Sequence, residues 1–362
     1  MEELVVNLHI HSKYSDGSWN HKRIAEAAMH ANLDAIIITD HNLMIKGIEG
    51  YFKNKEKSIL VIVGEEIHDK SLDDLKNHLL TFGQMTELCT YADDPQNLIN
   101  KVKKSGGLSF IAHPYENSLP QVNEQAITWE NWDIVGFNGI EIWNHLSELK
   151  NESRNWFELL VNIFFPKLYA RGPHPLALKK WDELLRSGHR LVAIGGSDAH
   201  ALEMKKGFFK RIIFPYLFHF KSINNHIFMS EKLSGNYLID RKNIIEAFRR
   251  GNSFIGYDMP ASSKGFRFYA QGKNGTAIPG DEIELESSIT LQIKLPEPVE
   301  CRLIHNGKII QTWHDQDICA YTTKSPGYYR VECYIFYYGR KRTWIVSNPI
   351  HVRKQKKLVS AY

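Results

Sequence analysis

Residues 35–41 have the sequence AIIITDH, and residues 4–11 have the sequence LVVNLHIH. The continuous isoleucine run predicts a strand that is buried on both faces, as strands of parallel sheets are. Between the two runs, residues 22–33 place Ile24, Ala27, Ala28 and Ala31 on one face of a helix. A strand, a helix and a second strand form a βαβ unit, so this stretch predicts an α/β fold with a parallel sheet.

The same alternation continues to about residue 258. Helices are expected at residues 95–104, which follow Asp94 and end before Gly106, and at residues 176–187. Further strands are expected at residues 58–63, 78–82, 108–112, 139–143 and 191–194. These units predict a parallel sheet that is either open or closed into a barrel.

The pattern changes near Asp258. Residues 259–264 are typical of a linker, and short β-rich runs follow at residues 289–295, 301–305, 308–313, 328–338 and 343–346. Asn306 and Gly307 lie between two of these runs and predict a tight hairpin. We therefore expect one domain at residues 1–258, a small antiparallel β-sandwich with its own core at residues 259–352, and a basic tail at residues 353–362.

Composition limits the classes of partner. The 362-residue chain has 43% hydrophobic residues and a formal net charge of +4. This charge is too small to predict a nucleic acid or a membrane as partner, although a small nucleotide could be a substrate. No apolar run approaches the roughly 20 residues of a membrane span. The first residues lack the features of a signal peptide, and the four cysteines show no CxxC spacing. We therefore expect a reducing, cytoplasmic location.

Histidines and carboxylates cluster at the ends of the predicted strands. His9 and His11 lie two residues apart on a strand and therefore share a face. The other candidates at strand ends or in the loops that follow are Asp16, Asp40, His41, Glu65, Glu66, His78, His113, Glu141, Asp198 and His200. The pattern leaves open which of Glu65 and Glu66 faces the site, whether Glu141 binds a metal or orients a ligand, and whether Asp40 is a turn residue. Because such ends converge in a roughly cylindrical sheet, the joint pattern indicates a metal site.

The motifs HIH at residues 9–11, TDH at 39–41, GEE at 64–66, AHP at 112–114 and GSDAH at 196–200 resemble the PHP (polymerase and histidinol phosphatase) family. The resemblance implies a distorted α/β barrel of seven strands with up to three metal ions. It implies that His9, His11, Glu66 and Asp198 bind the first ion, that Glu66, His78 and His113 bind the second, and that Asp16, His41 and His200 bind the third. Glu66 is implied over Glu65 because the family's glutamate stands two positions after the glycine. The WDELL motif at residues 181–185 and the hairpin at 306–307 further resemble the carbaryl-hydrolase-related branch, in which a β-sandwich follows the barrel.

The resemblance implies a metal-dependent hydrolase. Ligands without thiolates suit two or three Zn²⁺, Mn²⁺ or Fe²⁺ ions, whose positive charge would attract a phosphate. We expect a phosphoesterase that acts on a small molecule with a hydroxide bridging the ions of a di- or trinuclear site. The expected catalytic residues are Glu66, Asp198 and His200, and the candidates for phosphate contact are Arg171, Lys205 and Lys206.

Two other functions stay open at this point. The same centre could hydrolyse a carbamate, an amide or a carboxylic ester, and Tyr115, Trp143 and Trp181 could then contact an apolar leaving group. PHP modules attached to polymerases can also have structural or editing roles, but the sequence has no polymerase-sized extension. The sequence does not indicate the oligomeric state.

Overall fold

The computed structural model describes residues 1–71, 76–206 and 209–354. The α-helices of these residues are α1 (His21–His30), α2 (Pro95–Lys104), α3 (His145–Asn151), α4 (Trp156–Phe164), α5 (Pro175–Arg186), α6 (Tyr216–Phe220) and α7 (Tyr237–Arg250). Short 3₁₀ helices cover Cys89–Tyr91, Pro120–Val122 and Pro166–Leu168. No helix in this part of the chain is both long and apolar enough to cross a bilayer.

The strands fall into an N-terminal and a C-terminal group. The first group is β1 (Glu2–Leu8), β2 (Ala35–Ile38), β3 (Gly50–Lys53), β4 (Ser58–Ile67), β5 (Leu79–Phe82), β6 (Leu108–Ile111), β7 (Tyr115–Glu116), β8 (Ile127–Thr128), β9 (Gly139–Asn144), β10 (Val192–Gly196), β11 (Leu202–Lys206), β12 (Phe209–Ile213), β13 (Ile223–Met229) and β14 (Ser253–Tyr257). The second group is β15 (Arg267–Gly272), β16 (Gly275–Ala277), β17 (Glu282–Leu285), β18 (Ile289–His305), β19 (Lys308–Thr323), β20 (Gly327–Tyr337), β21 (Arg340–Ser347) and β22 (Ile350–Lys354).

The helices begin where the sequence provides caps. The side chain of Asn20 accepts a hydrogen bond from the backbone of Arg23 at the start of α1. Asp94 caps α2 in the same way, and Pro95 occupies its first turn. The apolar face of α1 packs on the β2 isoleucines in one buried cluster, so the predicted strand–helix alternation is present.

The central sheet is mixed rather than purely parallel. β1, β2 and β4 pair in parallel, and so do β6, β9 and β10. β5 lies between the two groups and is antiparallel to both β4 and β6. Residues 68–78, which join β4 to β5, are too few for the crossover of roughly a dozen residues that a parallel pair needs. An isolated parallel bridge between Ile10 and Ala199 brings the chain after β10 beside the chain after β1.

The sheet also continues across residue 258. β1 pairs with β13, β13 with β14 and β14 with β21, all antiparallel. The side chain of Asn348 makes hydrogen bonds of 2.8 and 3.0 Å with the backbone of Ala193 in β10. Phe228 and Phe254 belong to the same buried cluster as the C-terminal strands. Residues on both sides of the expected boundary thus share a sheet and a core, and independent folding of residues 259–352 stays a prediction.

The C-terminal strands are longer than the sequence pattern indicates. The runs at residues 289–295 and 301–305 belong to one strand, β18, whose register against β19 shifts between Lys294 and Val299. Pro296 and Pro298 lie in this interval and cannot donate ladder hydrogen bonds, which is why the pattern resembles two strands. β22 extends to Lys354, so residues 353 and 354 of the expected tail belong to the sheet, and residues 355–362 lie outside the described residues.

Candidate metal centre

The candidate ligands meet at one edge of the sheet. His9 and His11 follow β1, His41 follows β2, and Glu66 lies near the carboxyl end of β4. His113 follows β6, and both Asp198 and His200 follow β10. His78 precedes β5, but β5 runs in the opposite direction, so its amino end lies at the same edge. The parallel pairings of the sheet therefore bring residues from distant parts of the sequence together.

The carboxylate of Glu66 lies at the centre of five imidazoles. Its Oε2 atom is 3.1 Å from Nε2 of both His9 and His11, and 3.2 Å from Nδ1 of His41. Its Oε1 atom is 2.7 Å from Nδ1 of His78 and 3.0 Å from Nε2 of His113. The side chain is 1% exposed, so this carboxylate has exchanged its hydration for contacts with histidine.

Glu65 points away from this cluster. Its carboxylate accepts hydrogen bonds from the backbone N–H of Leu88 and from Nε2 of Gln84. Successive residues of a strand face opposite sides, so only one of the two glutamates can face the histidines. The structure brings Glu66 to the cluster and Glu65 to a separate buried environment.

Two aspartates complete the arrangement. Oδ1 of Asp198 lies 3.3 Å from Nε2 of His11 and 3.5 Å from Nε2 of His9. Oδ2 of Asp16 lies 3.2 Å from Nε2 of His200 and 3.5 Å from Nε2 of His41. All nine candidate ligands are thus within one connected cluster. Asp40 is not part of it, because its carboxylate accepts hydrogen bonds from Ser12 and Ser15 and holds the loop after β1.

The donor atoms fit divalent metal ions. The buried ring nitrogens and carboxylate oxygens that lack a hydrogen-bond partner include Nε2 of His9, both ring nitrogens of His11, Nδ1 of His41, Oε2 of Glu66, Nε2 of His78 and Nδ1 of His113. Unpaired buried polar atoms are rare and costly, and coordination to a cation would satisfy them. Groups such as His9–His11–Glu66 and His11–Asp16–His41–His200 have ligand atoms within 4.8 Å of one another. Nitrogen and oxygen donors of this kind suit Zn²⁺, Mn²⁺ or Fe²⁺.

A sequence model of the PHP domain matches residues 7–204, a range that contains every candidate ligand. The chain belongs to the PHP domain family. The match begins in β1 and ends in β11, so the candidate metal cluster lies within it.

Several known proteins are similar to this PHP-domain chain. An uncharacterised protein of Methanocaldococcus jannaschii is 27% identical over 154 residues, which cover 38% of this chain and 80% of that protein. A two-domain protein of Bacteroides vulgatus, containing a predicted PHP-like metal-dependent phosphoesterase, aligns over 96% of this chain and 95% of its own, with 17% identity and a TM-score of 0.45. A protein of Bifidobacterium adolescentis, provisionally assigned as a metal-dependent phosphoesterase, aligns over 58% of this chain and 92% of its own, with 15% identity and a TM-score of 0.32.

Protons and metals would compete for the histidines of the PHP domain. Burial opposes charge on His11, but Asp198 and Glu66 outweigh it and raise the pKa of His11 to about 10. Burial likewise opposes charge on His113, yet Glu116 and Glu66 raise its pKa to about 9. Burial would raise the pKa of Glu66, but the histidines around it hold that pKa well below its ordinary range. Because a ligating imidazole must be neutral, metal binding at this centre would release protons.

The backbone of the PHP domain is unusual at three candidate ligands. His9, His113 and Asp198 have φ angles of 64°, 21° and 51°, in the left-handed range that few non-glycine residues adopt. Such conformations cost free energy and cluster at functional sites. Gly196 lies beside them, and a Cβ atom there would come within 1.7 Å of the Glu141 carboxylate and 2.9 Å of the His9 Cβ atom.

Seven of the nine candidate ligands, all except His9 and His11, line an open pocket of about 870 Å³. Two cationic side chains, Lys70 and Lys150, also line it, and the Nζ atom of Lys150 lies 2.6 Å from both Glu116 and Glu124. Apolar side chains form part of the wall, namely Leu43, Ile127, Leu146 and Leu202. The pocket wall therefore combines cationic, acidic and apolar side chains.

Other residues singled out from the sequence do not line this pocket. Arg171 is exposed, its Nη2 atom is 2.7 Å from Oε2 of Glu152, and together with Tyr115 it lines an adjoining cavity of about 270 Å³ that shares His113 and Glu116 with the pocket. Trp143 and Trp181 are 1% and 0% exposed and belong to the hydrophobic core. The side chains of Lys205 and Lys206 lie outside the described residues.

The sequence patterns missed His68, Asn144 and Lys150. His68 lines the pocket and follows Glu66 by two residues, a spacing that would have placed both on the same face of an extended strand. Asn144 donates hydrogen bonds to Glu141 and Asp198, and it follows the carboxylate at position 141 by three residues. Lys150 lies on α3, a helix that the sequence patterns did not predict.

Proposed function

We propose that the protein is a metal-dependent phosphoesterase. The observation that carries the proposal is the Glu66 carboxylate, which is surrounded by five imidazoles with unpartnered donor atoms and lines an open pocket. Divalent ions would be held in three groups: His9, His11, Glu66 and Asp198; Glu66, His78 and His113; and Asp16, His41 and His200. When bound, such ions lower the pKa of water and polarise a phosphoryl oxygen.

Side chains around the cluster support this chemistry by holding ligands and charge in place. Nδ1 of His200 is 2.9 Å from the carbonyl oxygen of Asp198, so Nε2 is the nitrogen that faces Asp16. That nitrogen is placed either to bind an ion or to move a proton towards a leaving group. Lys150 adds a fixed positive charge to the pocket wall, where a phosphate could exchange for one of its two carboxylate partners.

We further propose that β1, β2, β4, β5, β6, β9 and β10 form the distorted barrel of the family, closed through the Ile10–Ala199 bridge. The continuous series of pairings from β1 to β10 supports this arrangement. The hairpin-rich strands β15–β22 would form the β-sandwich of the carbaryl-hydrolase-related branch.

A carbamate, amide or carboxylic ester is the second candidate substrate. The apolar wall of Leu43, Ile127, Leu146 and Leu202 favours it, because a neutral aryl ester would bury its leaving group there. The same ions would polarise a carbonyl as readily as a phosphoryl group.

Parallel assays distinguish the two candidates. Protein reconstituted with Zn²⁺, Mn²⁺ or Fe²⁺ is compared with chelator-treated protein on a phosphomonoester, a phosphodiester and an aryl carbamate. Metal-dependent turnover with the highest kcat/KM on a phosphate ester supports the proposal. Turnover of the carbamate alone favours the second candidate, and a failure to bind metal contradicts both.

A further inference from the structure

His68 is a buried histidine of the pocket that none of the three proposed metal groups uses. It follows the last residue of β4 directly, is 7% exposed, and lines the pocket beside the cluster. Its backbone N–H donates to Oδ1 of Asn42 over 3.0 Å, which fixes the position of the residue. Its Nδ1 atom is buried and has no hydrogen-bond partner. A buried imidazole with an unpaired nitrogen needs a partner that the protein itself does not supply.

Two other imidazoles surround His68. Its ring stacks on His78 with centroids 4.4 Å apart and an interplanar angle of 14°, and it meets His41 edge to face at 5.1 Å. Candidate ligand atoms of the three side chains lie within 4.8 Å of one another. His78 contacts Glu66 through Nδ1, which leaves its Nε2 atom buried and unpartnered. The three imidazoles therefore bring ring nitrogens together beside Glu66, whose carboxylate lies 3.2 Å from Nδ1 of His41 and 2.7 Å from Nδ1 of His78.

We propose that His68 is an additional metal-ligating residue, which forms a three-imidazole subsite with His41 and His78. The inference rests on the proposed metal centre and extends it. Imidazole donors favour Zn²⁺ and other later transition metals, whereas Mn²⁺ prefers carboxylate and water oxygens. His68 thus gives the centre a preference for Zn²⁺ over Mn²⁺ that the carboxylate-containing groups alone would not provide.

The alternative role of His68 is to support His78 by ring stacking alone. His68→Phe separates the two roles, because phenylalanine keeps a flat ring on His78 but has no donor atom. His21→Phe is the matched control: His21 is a half-buried histidine that stacks on Tyr14, has an unpartnered Nδ1 atom and lies outside the pocket.

The test measures Zn²⁺ and Mn²⁺ binding by equilibrium dialysis with elemental analysis for the wild type and both variants. His68→Phe should weaken the binding of one Zn²⁺ by roughly 10- to 100-fold, change Mn²⁺ binding much less, and differ from His21→Phe in both respects. His68→Cys, which restores a donor, should recover part of the lost Zn²⁺ affinity. If His68→Phe binds both metals as the wild type does, the ring only stacks and the inference is overturned.

A structural measurement covers the case in which His68→Phe does not fold. In Zn²⁺-loaded crystals of the wild type, anomalous scattering should place an ion about 2.1 Å from a ring nitrogen of His68. Ions found only at the three proposed groups would overturn the inference and leave the proposed function intact. A wild type that binds no Zn²⁺ at all would instead overturn the proposed function and the subsite together.

Discussion

Oε1 of Glu141 lies 2.8 Å from Nδ1 of His9, and both side chains are almost completely buried. This contact holds the imidazole so that its Nε2 atom faces Glu66 and Asp198. The other oxygen of Glu141 accepts a hydrogen bond from the backbone N–H of His113 over 2.9 Å. One carboxylate therefore positions two candidate ligands without facing the pocket itself.

Glu141→Gln should weaken metal binding by about 10- to 100-fold, because carboxylates that orient ligating histidines contribute on that scale. The loss should concern the ion held by His9, and titration calorimetry with Zn²⁺ would measure it. Glu148→Gln is the control, since Glu148 is also buried but accepts from Trp143 and from backbone outside the cluster. Equal affinities for the two variants would contradict the positioning role.

Glu66→Gln should remove more metal than Glu65→Gln. Glu66 contacts five histidines. Glu65 contacts none of them, and burial, the largest influence on this residue, raises the pKa of its carboxyl group to about 7. A carboxyl group that is partly protonated at neutral pH is replaced by an amide at little cost. Elemental analysis after reconstitution measures the difference, and the reverse ranking would show that the wrong glutamate is assigned to the centre.

Asp198→Asn and His200→Ala should have different effects although the two residues lie two positions apart. Asp198→Asn should remove the first ion and most activity, since this carboxylate approaches both His9 and His11. His200→Ala should lose the third ion only, and it should lower kcat/KM for a phosphomonoester more than for a neutral carbamate. Metal stoichiometry and kcat/KM for both substrates test this. Loss of all metal in His200→Ala would contradict the separate assignment.

Gly196→Ala should abolish high-affinity metal binding although it replaces none of the candidate ligands. A methyl group at this position would collide with the Glu141 carboxylate and the Cβ atom of His9. Gly272→Ala in β15 serves as the control, because the φ angle of Gly272 is outside the left-handed range and a Cβ atom there would come no closer than 3.3 Å to another heavy atom, in the side chain of Ile283. Circular dichroism checks the fold, and a Gly196→Ala protein with wild-type metal affinity would contradict the close contact.

The stability of the protein should fall at alkaline pH through His226. Its Nδ1 atom is 2.8 Å from Glu3 and its Nε2 atom is 3.0 Å from Asp258. Burial opposes the charge, but Asp258 and Glu3 outweigh it and raise the pKa of His226 to about 9. A pKa raised by folding stabilises the protein below the unfolded value of about 6.5, and this contribution is lost as the pH rises through 9.

His226→Gln should therefore lose most stability relative to the wild type at pH 6. The difference in the free energy of unfolding should shrink by up to about 3 kcal/mol at pH 10. Denaturant unfolding at both pH values measures it, with the exposed His30→Gln as the control. A difference that does not depend on pH would contradict a charged His226 in the folded protein.

The sequence was most informative where the spacing of candidate ligands matches the period of the secondary structure. The spacing of His9 and His11 predicts a shared face because strands alternate with a period of two, and their positions in the cluster agree with this. The choice between Glu65 and Glu66 depends on which residue faces inward, which the residues alone leave open and only the family resemblance decides. The C-terminal strands show the limit of patterning, because the prolines at 296 and 298 make one strand resemble two.

Long-range placement was the part that the sequence could not supply. Arg171 was expected to contact a phosphate, and its position depends on the helices α3 and α4, for which no pattern was recognised. α7 and the strands β13 and β14 were also missed. Their buried polar residues, such as Asn225 and His226, interrupt the apolar pattern but are paired within the fold.

The ladder from β13 through β14 to β21 constrains how the protein can move. Residues 254–256 of β14 pair with residues 345–347 of β21, and Asn348 adds bonds to β10. A hinge rotation of the C-terminal strands would break these hydrogen bonds and expose buried backbone. The C-terminal region therefore acts as a fixed support rather than a swinging lid. Any motion that alters access to the pocket is therefore expected in the loops around it.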